Sequence, residues 1–224
     1  MNNVAIILGA GNSTRMKSQK SKLLLEISGK KVIERSVEAF KNIADISAIT
    51  VVCRECDLPE YRRIFGDSVS FVIGGNTRQQ SVKNAVKSVD NADLVIIHDG
   101  ARPLIKRSDI EAAIEAAKNC GAAAVGVPVK DTIKVINKDN VIIDTPERST
   151  LYAVQTPQIF DYQTFKKALE KAEADGMDFT DDCRLIEYSG GSVKMVTGSY
   201  SNIKITTPED IAVAESIINK RNGV

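Results

Sequence analysis

The chain has 224 residues, with 30 Lys plus Arg against 29 Asp plus Glu and a formal net charge of +1. That length supports one domain with a sizeable core, and a near-neutral chain with no basic run lacks the clustered positive footprint of a nucleic-acid binder. No apolar stretch approaches the roughly 20 residues of a membrane span, and Met1-Asn2-Asn3 enters a strand with no charged leader or cleavage site, so a soluble, cytoplasmic protein is expected.

The first element is an apolar run, Val4–Leu8, that reads as a buried parallel strand. It runs into Gly9-Ala10-Gly11-Asn12-Ser13-Thr14-Arg15, with Lys22 further on. Glycines let backbone N–H groups approach a ligand, and cations just beyond them suit a polyphosphate. Helical periodicity follows at Val32–Phe40, then a strand at Ile49–Cys53, a helix at Leu58–Phe65 and a strand at Ser70–Ile73. Gly74-Gly75-Asn76-Thr77-Arg78 leads into a helix at Gln79–Ser88, and the strand Leu94–His98 ends in His98-Asp99-Gly100-Ala101-Arg102-Pro103. A helix at Ser108–Lys118 and a strand at Ala123–Val127 complete an alternation that implies a mostly parallel sheet covered on both faces. Ligands of such sheets bind beyond the strand C-termini, where the segments 9–22, 74–78 and 98–103 fall.

The alternation breaks between Pro128 and Gln158. Thr132–Ile136 and Val141–Ile143 flank Asn137-Lys138-Asp139-Asn140 and read as a β-hairpin that needs a partner surface, which a second subunit can supply. Helices at Tyr162–Ala174 and Asp181–Tyr188, a strand at Ser192–Val196 and a last helix follow, the last with Thr207 as N-cap and Pro208 at its first position.

The first loop lacks the G-x-x-x-x-G-K-[ST] of a P-loop, and Thr14 stands where a dinucleotide fingerprint needs its third glycine. A glycine-rich turn ending in arginine, followed by a lysine, fits a nucleotidyltransferase, whose catalysis consists largely of donors and cations aimed at charge on a triphosphate. Gly75 leaves room for a flat base and Ser81 can bond its edge. Asp99 is placed for Mg²⁺ or ribose hydroxyls, and Arg102 can pair with Asp99. His98, the only histidine, reads as a structural hydrogen-bond former. Cys53-x-x-Cys56 reads as chance spacing at a strand end, since neither a second ligand pair nor a redox context accompanies it.

The fold class expected is α/β: a Rossmann-like, mostly parallel twisted sheet with helices on both faces, of nucleotidyltransferase type, plus a protruding β-hairpin arm. Residues 1–224 form one domain in this reading, with 128–158 an arm that mediates dimerisation.

These residues also carry a resemblance. Gly11-x-x-x-Arg15-Met16, Lys22, Gly74-Gly75-x-x-Arg78-x-x-Ser81-Val82 and His98-Asp99-Gly100-Ala101-Arg102-Pro103 are in the order found in one family. So are Pro128–Lys134, Glu147-Arg148, Gln155-Thr156-Pro157-Gln158, Thr180-Asp181-Asp182 and Asn202–Asp210. The chain resembles the 2-C-methyl-D-erythritol 4-phosphate cytidylyltransferases of non-mevalonate isoprenoid biosynthesis. The resemblance implies CTP and a small alcohol phosphate as substrates, Mg²⁺ or another divalent cation as cofactor, and a homodimer joined through the arm. It assigns Arg15, Lys22 and Lys204 to catalysis around the triphosphate, and Ala10, Gly11, Gly75, Asn76, Ser81, Asp99 and Gly100 to the nucleotide. Asp99, Arg102, Thr132, Arg148, Thr156 and Thr180 fall to the second substrate, Thr132 and Arg148 serving the neighbouring subunit's site. Asp99 is also the metal candidate, mainly through CTP phosphates.

Four positions depart from the commoner pattern: Gly9 for alanine, Ser13 for glycine, Ser21 for proline and Asn76 for aspartate. A ribitol-5-phosphate cytidylyltransferase and a non-catalytic nucleotide-binding module remain the alternatives; segment 145–158 and Pro128–Lys134 favour the methylerythritol enzymes over the former.

Overall fold

The computed structural model describes residues 2–11 and 21–223. Its central sheet has seven strands, β1 (Asn3–Leu8), β4 (Ile46–Cys53), β5 (Ser70–Ile73), β6 (Leu94–Asp99), β7 (Ala122–Pro128), β10 (Tyr152–Asp161) and β11 (Lys194–Thr197). Their order is β11-β7-β10-β6-β1-β4-β5, and every pairing is parallel except those of β10, which runs against both β6 and β7. Two small hairpins lie outside it: β2 (Glu26–Ile27) with β3 (Lys30–Lys31), and β8 (Val135–Ile136) with β9 (Ile142–Asp144).

Alternation along β1 sorts the core into two layers, because successive strand side chains point to opposite faces. Ala5 and Ile7 pack with α1 (Val32–Lys41), α2 (Leu58–Phe65), α4 (Arg107–Cys120) and α7 (Glu209–Asn222). Val4 and Ile6 pack with α3 (Arg78–Lys87), α5 (Tyr162–Ala174) and α6 (Asp182–Tyr188). Helices therefore cover both faces of the sheet, as the alternation predicts.

Strand β10 is the main departure. Residues 152–158, expected in the arm, belong to strand β10 of the central sheet, so the part outside that sheet is about 129–151. Pro157 and the polar run Gln155-Thr156-x-Gln158 hide this strand from a pattern reading, since proline seldom sits in a central strand. The sheet accepts them through a break in register: Val154 pairs with Gly126 and Gln158 with Ala124, leaving residues 155–157 outside the ladder with β7. The arm's ladders are also shorter than expected. Its turn falls at Asn137–Asn140 as read from sequence, with the Asn137 side chain accepting from the amides of Asp139 and Val141 at 2.9 and 3.0 Å. At α7, Asp210 closes the start instead of Thr207: its carboxylate accepts the amides of Thr206 and Thr207, and Pro208 precedes the first helical residue.

The strand ends that face the site are stitched together by their glycines. Gly9 donates its N–H to the Val52 carbonyl at 2.7 Å, Gly74 to Cys53 at 2.9 Å and Gly100 to Leu8 at 2.9 Å. A Cβ on Gly9 would lie 2.8 Å from the Val52 oxygen, and one on Gly74 would lie 2.3 Å from the Ala10 Cβ. Neither position has room for a side chain.

Candidate active site

A cavity of about 600 Å³ opens beyond the C-terminal ends of β1, β4, β5 and β6. Of the residues singled out from sequence, Ala10, Gly11, Lys22, Gly75, Asn76, Ser81, Asp99 and Lys204 line it. Arg15 lies outside the described residues. Lys22 opens a one-turn 3-10 helix, Lys22–Leu24, whose N-cap Ser21 is buried. Serine is a good capping residue, so Ser21 gives this return of the chain a side-chain acceptor that proline would not. Ser81 has local work as well: its hydroxyl accepts from the Gly75 amide at 3.0 Å and donates to the Thr77 carbonyl at 2.9 Å, which shapes the loop a flat base would rest on.

Asp99 is the electrostatic centre. Its carboxylate meets Lys204 Nζ at 2.7 Å, with Arg78 and Arg102 guanidinium nitrogens each 3.9 Å away. Burial alone would push this carboxyl up. Lys204 and Arg78, followed by Arg102, outweigh burial and hold it at about 2, so Asp99 is ionised at neutral pH. Lys204 is delivered by a loop pinned from both sides: the Ile205 amide bonds the Ala101 carbonyl at 2.8 Å, and Arg102 Nη1 donates to the Asn202 carbonyl at 2.8 Å.

Arg78 also donates to Asp182 at 2.6 Å, at the start of α6. Burial pushes the Asp182 carboxyl up, and Arg78 pulls against it. Sequence reasoning quoted Arg78 without a role and gave Asp182 none. Arg78 follows a glycine pair as Arg15 does, which is a usable signal; Asp182 is 104 residues away and carries no local one. Arg54 and Glu55, which also line the cavity, were not anticipated. Arg54 is clamped to Asp57 by two bonds of 2.6 and 2.9 Å.

The second-substrate residues divide. Thr156 and Arg102 lie behind Asp99: Thr156 Oγ1 accepts the Asp99 amide at 3.0 Å. Gly100 is buried, and a Cβ there would meet Ile33 and the Leu8 carbonyl at 2.9 Å, so its place is in the packing behind the cavity. Thr132 and Arg148 are exposed on the arm, outside the cavity lining, with Arg148 donating to the Lys130 carbonyl at 3.2 Å. Thr180 is exposed just before α6 and is also outside the lining. The fully buried His98 bonds Thr156 and the Arg102 carbonyl, the structural role read from sequence. Cys53 is a buried strand end and Cys56 is exposed in the following 3-10 turn.

Among the described residues no group of three or more His, Cys, Asp or Glu side chains could hold a metal ion. The donor set at the cavity, chiefly Asp99, therefore fits a Mg²⁺ that takes most of its oxygens from phosphates and water, because Mg²⁺ needs only one or two carboxylates in such sites.

The 2-C-methyl-D-erythritol 4-phosphate cytidylyltransferase (IspD) family model matches residues 3–220. The protein of that name from Caldanaerobacter subterraneus subsp. tengcongensis is 47% identical, covering 98% of this chain and 100% of its own length. That from Desulforamulus reducens is 41% identical over 99% of this chain and 97% of its own. The crystal structure of 4-diphosphocytidyl-2C-methyl-D-erythritol synthase from Anaerococcus prevotii superposes with a TM-score of 0.89 at 33% identity, covering 97% of this chain and 98% of that one. The family match over residues 3–220 and the whole-length similarity to these relatives show that this chain belongs to the 2-C-methyl-D-erythritol 4-phosphate cytidylyltransferase family.

Proposed function

We infer that the cavity at the ends of β1, β4, β5 and β6 transfers CMP from CTP to 2-C-methyl-D-erythritol 4-phosphate, releasing pyrophosphate. The observation that carries this is a cavity on glycine-stitched strand ends that is lined by Lys22 and holds Lys204 against an ionised Asp99. A phosphate oxygen of the alcohol phosphate attacks the α-phosphorus of CTP. A new P–O bond forms, the bond from the α-phosphorus to the bridging oxygen breaks, and its electron pair leaves with pyrophosphate. The attacking oxygen is already anionic, so no general base is required. Positioning and charge stabilisation carry the rate.

Ala10, Gly11, Gly75, Asn76 and Ser81 form the base and ribose side. Lys22 and Lys204, with Arg15 by resemblance, neutralise charge on the triphosphate. Lys204 pairs with Asp99 at the cavity, where nucleotide phosphates can compete for the lysine and leave a carboxylate oxygen to ribose or metal. Mg²⁺ held between Asp99 and the CTP phosphates would supply further charge neutralisation.

The arm supports a dimer in which Thr132 and Arg148 complete a neighbour's site. Ile136, Val141, Ile142 and Ile143 are each more than half exposed on it, an apolar surface that water penalises. Pyrophosphate release tests the assignment: turnover is expected with methylerythritol phosphate and CTP, and preference for ribitol 5-phosphate would overturn it. Lys22→Ala is expected to lower kcat by about 10²–10³-fold, the range for losing one electrostatic stabiliser, with an unchanged fold. Near-normal turnover in that variant would remove Lys22 from the mechanism.

A further inference from the structure

His98 is the chain's single histidine, fully buried on β6 and packed against the Phe40 ring with centroids 4.9 Å apart. The transfer reaction makes no use of it. Its hydrogen bonds are nonetheless complete and directional. Nε2 lies 3.0 Å from the Arg102 carbonyl, which can only accept, so Nε2 carries the proton. Nδ1 is then an acceptor, and Thr156 Oγ1 at 3.0 Å donates to it. The same hydroxyl oxygen accepts the Asp99 amide at 3.0 Å.

These bonds belong to a closed ring. Asn202 Nδ2 donates to the Thr156 carbonyl at 2.9 Å, and Arg102 Nη1 donates to the Asn202 carbonyl at 2.8 Å. The circuit runs from His98 to Thr156, Asn202, Arg102 and back. It joins the β10 interruption, the turn after β6 and the loop carrying Lys204. Those segments are more than 40 residues apart in sequence, and no regular ladder links the three. Asn202 is fully buried, as is His98, so the ring is shielded from competing water.

We propose that His98 is a positioning residue for the second substrate: through this ring it sets Thr156 and Arg102 relative to Asp99 and so shapes the face that takes the alcohol phosphate. The inference rests on the functional reading above for what Thr156 and Arg102 bind. The base side, built from the 9–11 and 74–81 loops, lies outside the ring; Asp99 and Lys204, which also serve the nucleotide, keep separate supports in the β1–β6 ladder and the Ile205–Ala101 bond when the ring is broken. Damage to His98 therefore separates the two substrates. In His98→Asn an amide oxygen can replace Nδ1 as acceptor, in His98→Gln an amide nitrogen can replace Nε2 as donor, and His98→Phe removes both.

The expected result is a KM for methylerythritol phosphate raised about tenfold or more in His98→Phe and less in the Asn and Gln variants, with the CTP KM within about threefold of wild type. Asn202→Ser opens the ring from the opposite side and should give the same split. An unchanged KM for the alcohol phosphate, or parallel loss of both substrates, overturns the proposal. Because a buried substitution can unfold the chain, the wiring is also read in the wild-type protein. Long-range ¹H–¹⁵N correlation of the lone imidazole at pH 7 should show the Nε2–H tautomer, and an Nδ1–H tautomer refutes it. If wild-type protein does not turn over methylerythritol phosphate, the functional reading itself has failed, and the proposed role toward that substrate fails with it.

Discussion

Replacing Arg78 by methionine tests how the site is held. Asp182 is 1% exposed and pairs with Arg78 at 2.6 Å. Removing one partner of a buried pair costs about 3–5 kcal/mol, because a desolvated charge is left behind. The Arg78 side chain is 26% exposed, which brings screening and places the expected loss below that range, at about 2–3 kcal/mol. For a chain of this size that lowers Tm by roughly 5–10 °C. Burial already holds the Asp182 carboxyl above its ordinary value with Arg78 in place, and without Arg78 it should rise further. Its penalty is present at neutral pH and is relieved as pH falls through that raised pKa, so the deficit against wild type must narrow on acidification. Urea unfolding at pH 7.5 and 5.5, for wild type, Arg78→Met, Asp182→Asn and the double variant, measures all of this. A deficit under about 1 kcal/mol, a deficit independent of pH, or strict additivity of the two substitutions would refute the reasoning.

Other expectations are simpler to check. Burial holds the folded His98 imidazole at about 4 against an ordinary value of 6.5. Between those values the unfolded chain takes up a proton that the folded one refuses, so stability is full above pH 6.5 and falls by up to about 3 kcal/mol by pH 4. Urea unfolding between pH 7 and 5 should show this slope, and a His98→Gln variant should lack that part of it; equal slopes would contradict the burial argument. The arm is tested by mixing inactive Lys22→Ala and Arg148→Ala proteins, since subunit exchange would create dimers with one intact site. Activity that never returns on mixing, under conditions where exchange is demonstrated, would show that Arg148 serves no neighbour.

Much of the fold was legible because local chemistry specified it. Segments such as Leu58–Phe65 and Tyr162–Ala174 carry their helical period openly, and Ser70–Ile73 is bounded by turn residues. The first half of the site was legible for a related reason. A side chain at Gly9 would strike the Val52 carbonyl and one at Gly74 the Ala10 Cβ, which only glycine avoids, and a triphosphate calls for nearby cations such as Lys22.

Strand β10 was not legible, because Pro157 and its polar neighbours break the pattern and only the pairing of the residues on either side, 152–154 with β7 and 158–161 with β6, carries the strand across them. Tertiary structure also decided that Arg78 pairs with Asp182, that Lys204 rests on Asp99, and that His98 closes a ring through Asn202. It left Thr132 and Arg148 on an exposed arm, outside the cavity lining of their own chain. Residue type and spacing alone determined the chemistry available to this protein, since glycine, lysine and aspartate carry their properties wherever they stand. Which of them act together depended on packing, because hydrogen bonds and ion pairs join groups by distance in space and not by separation along the chain.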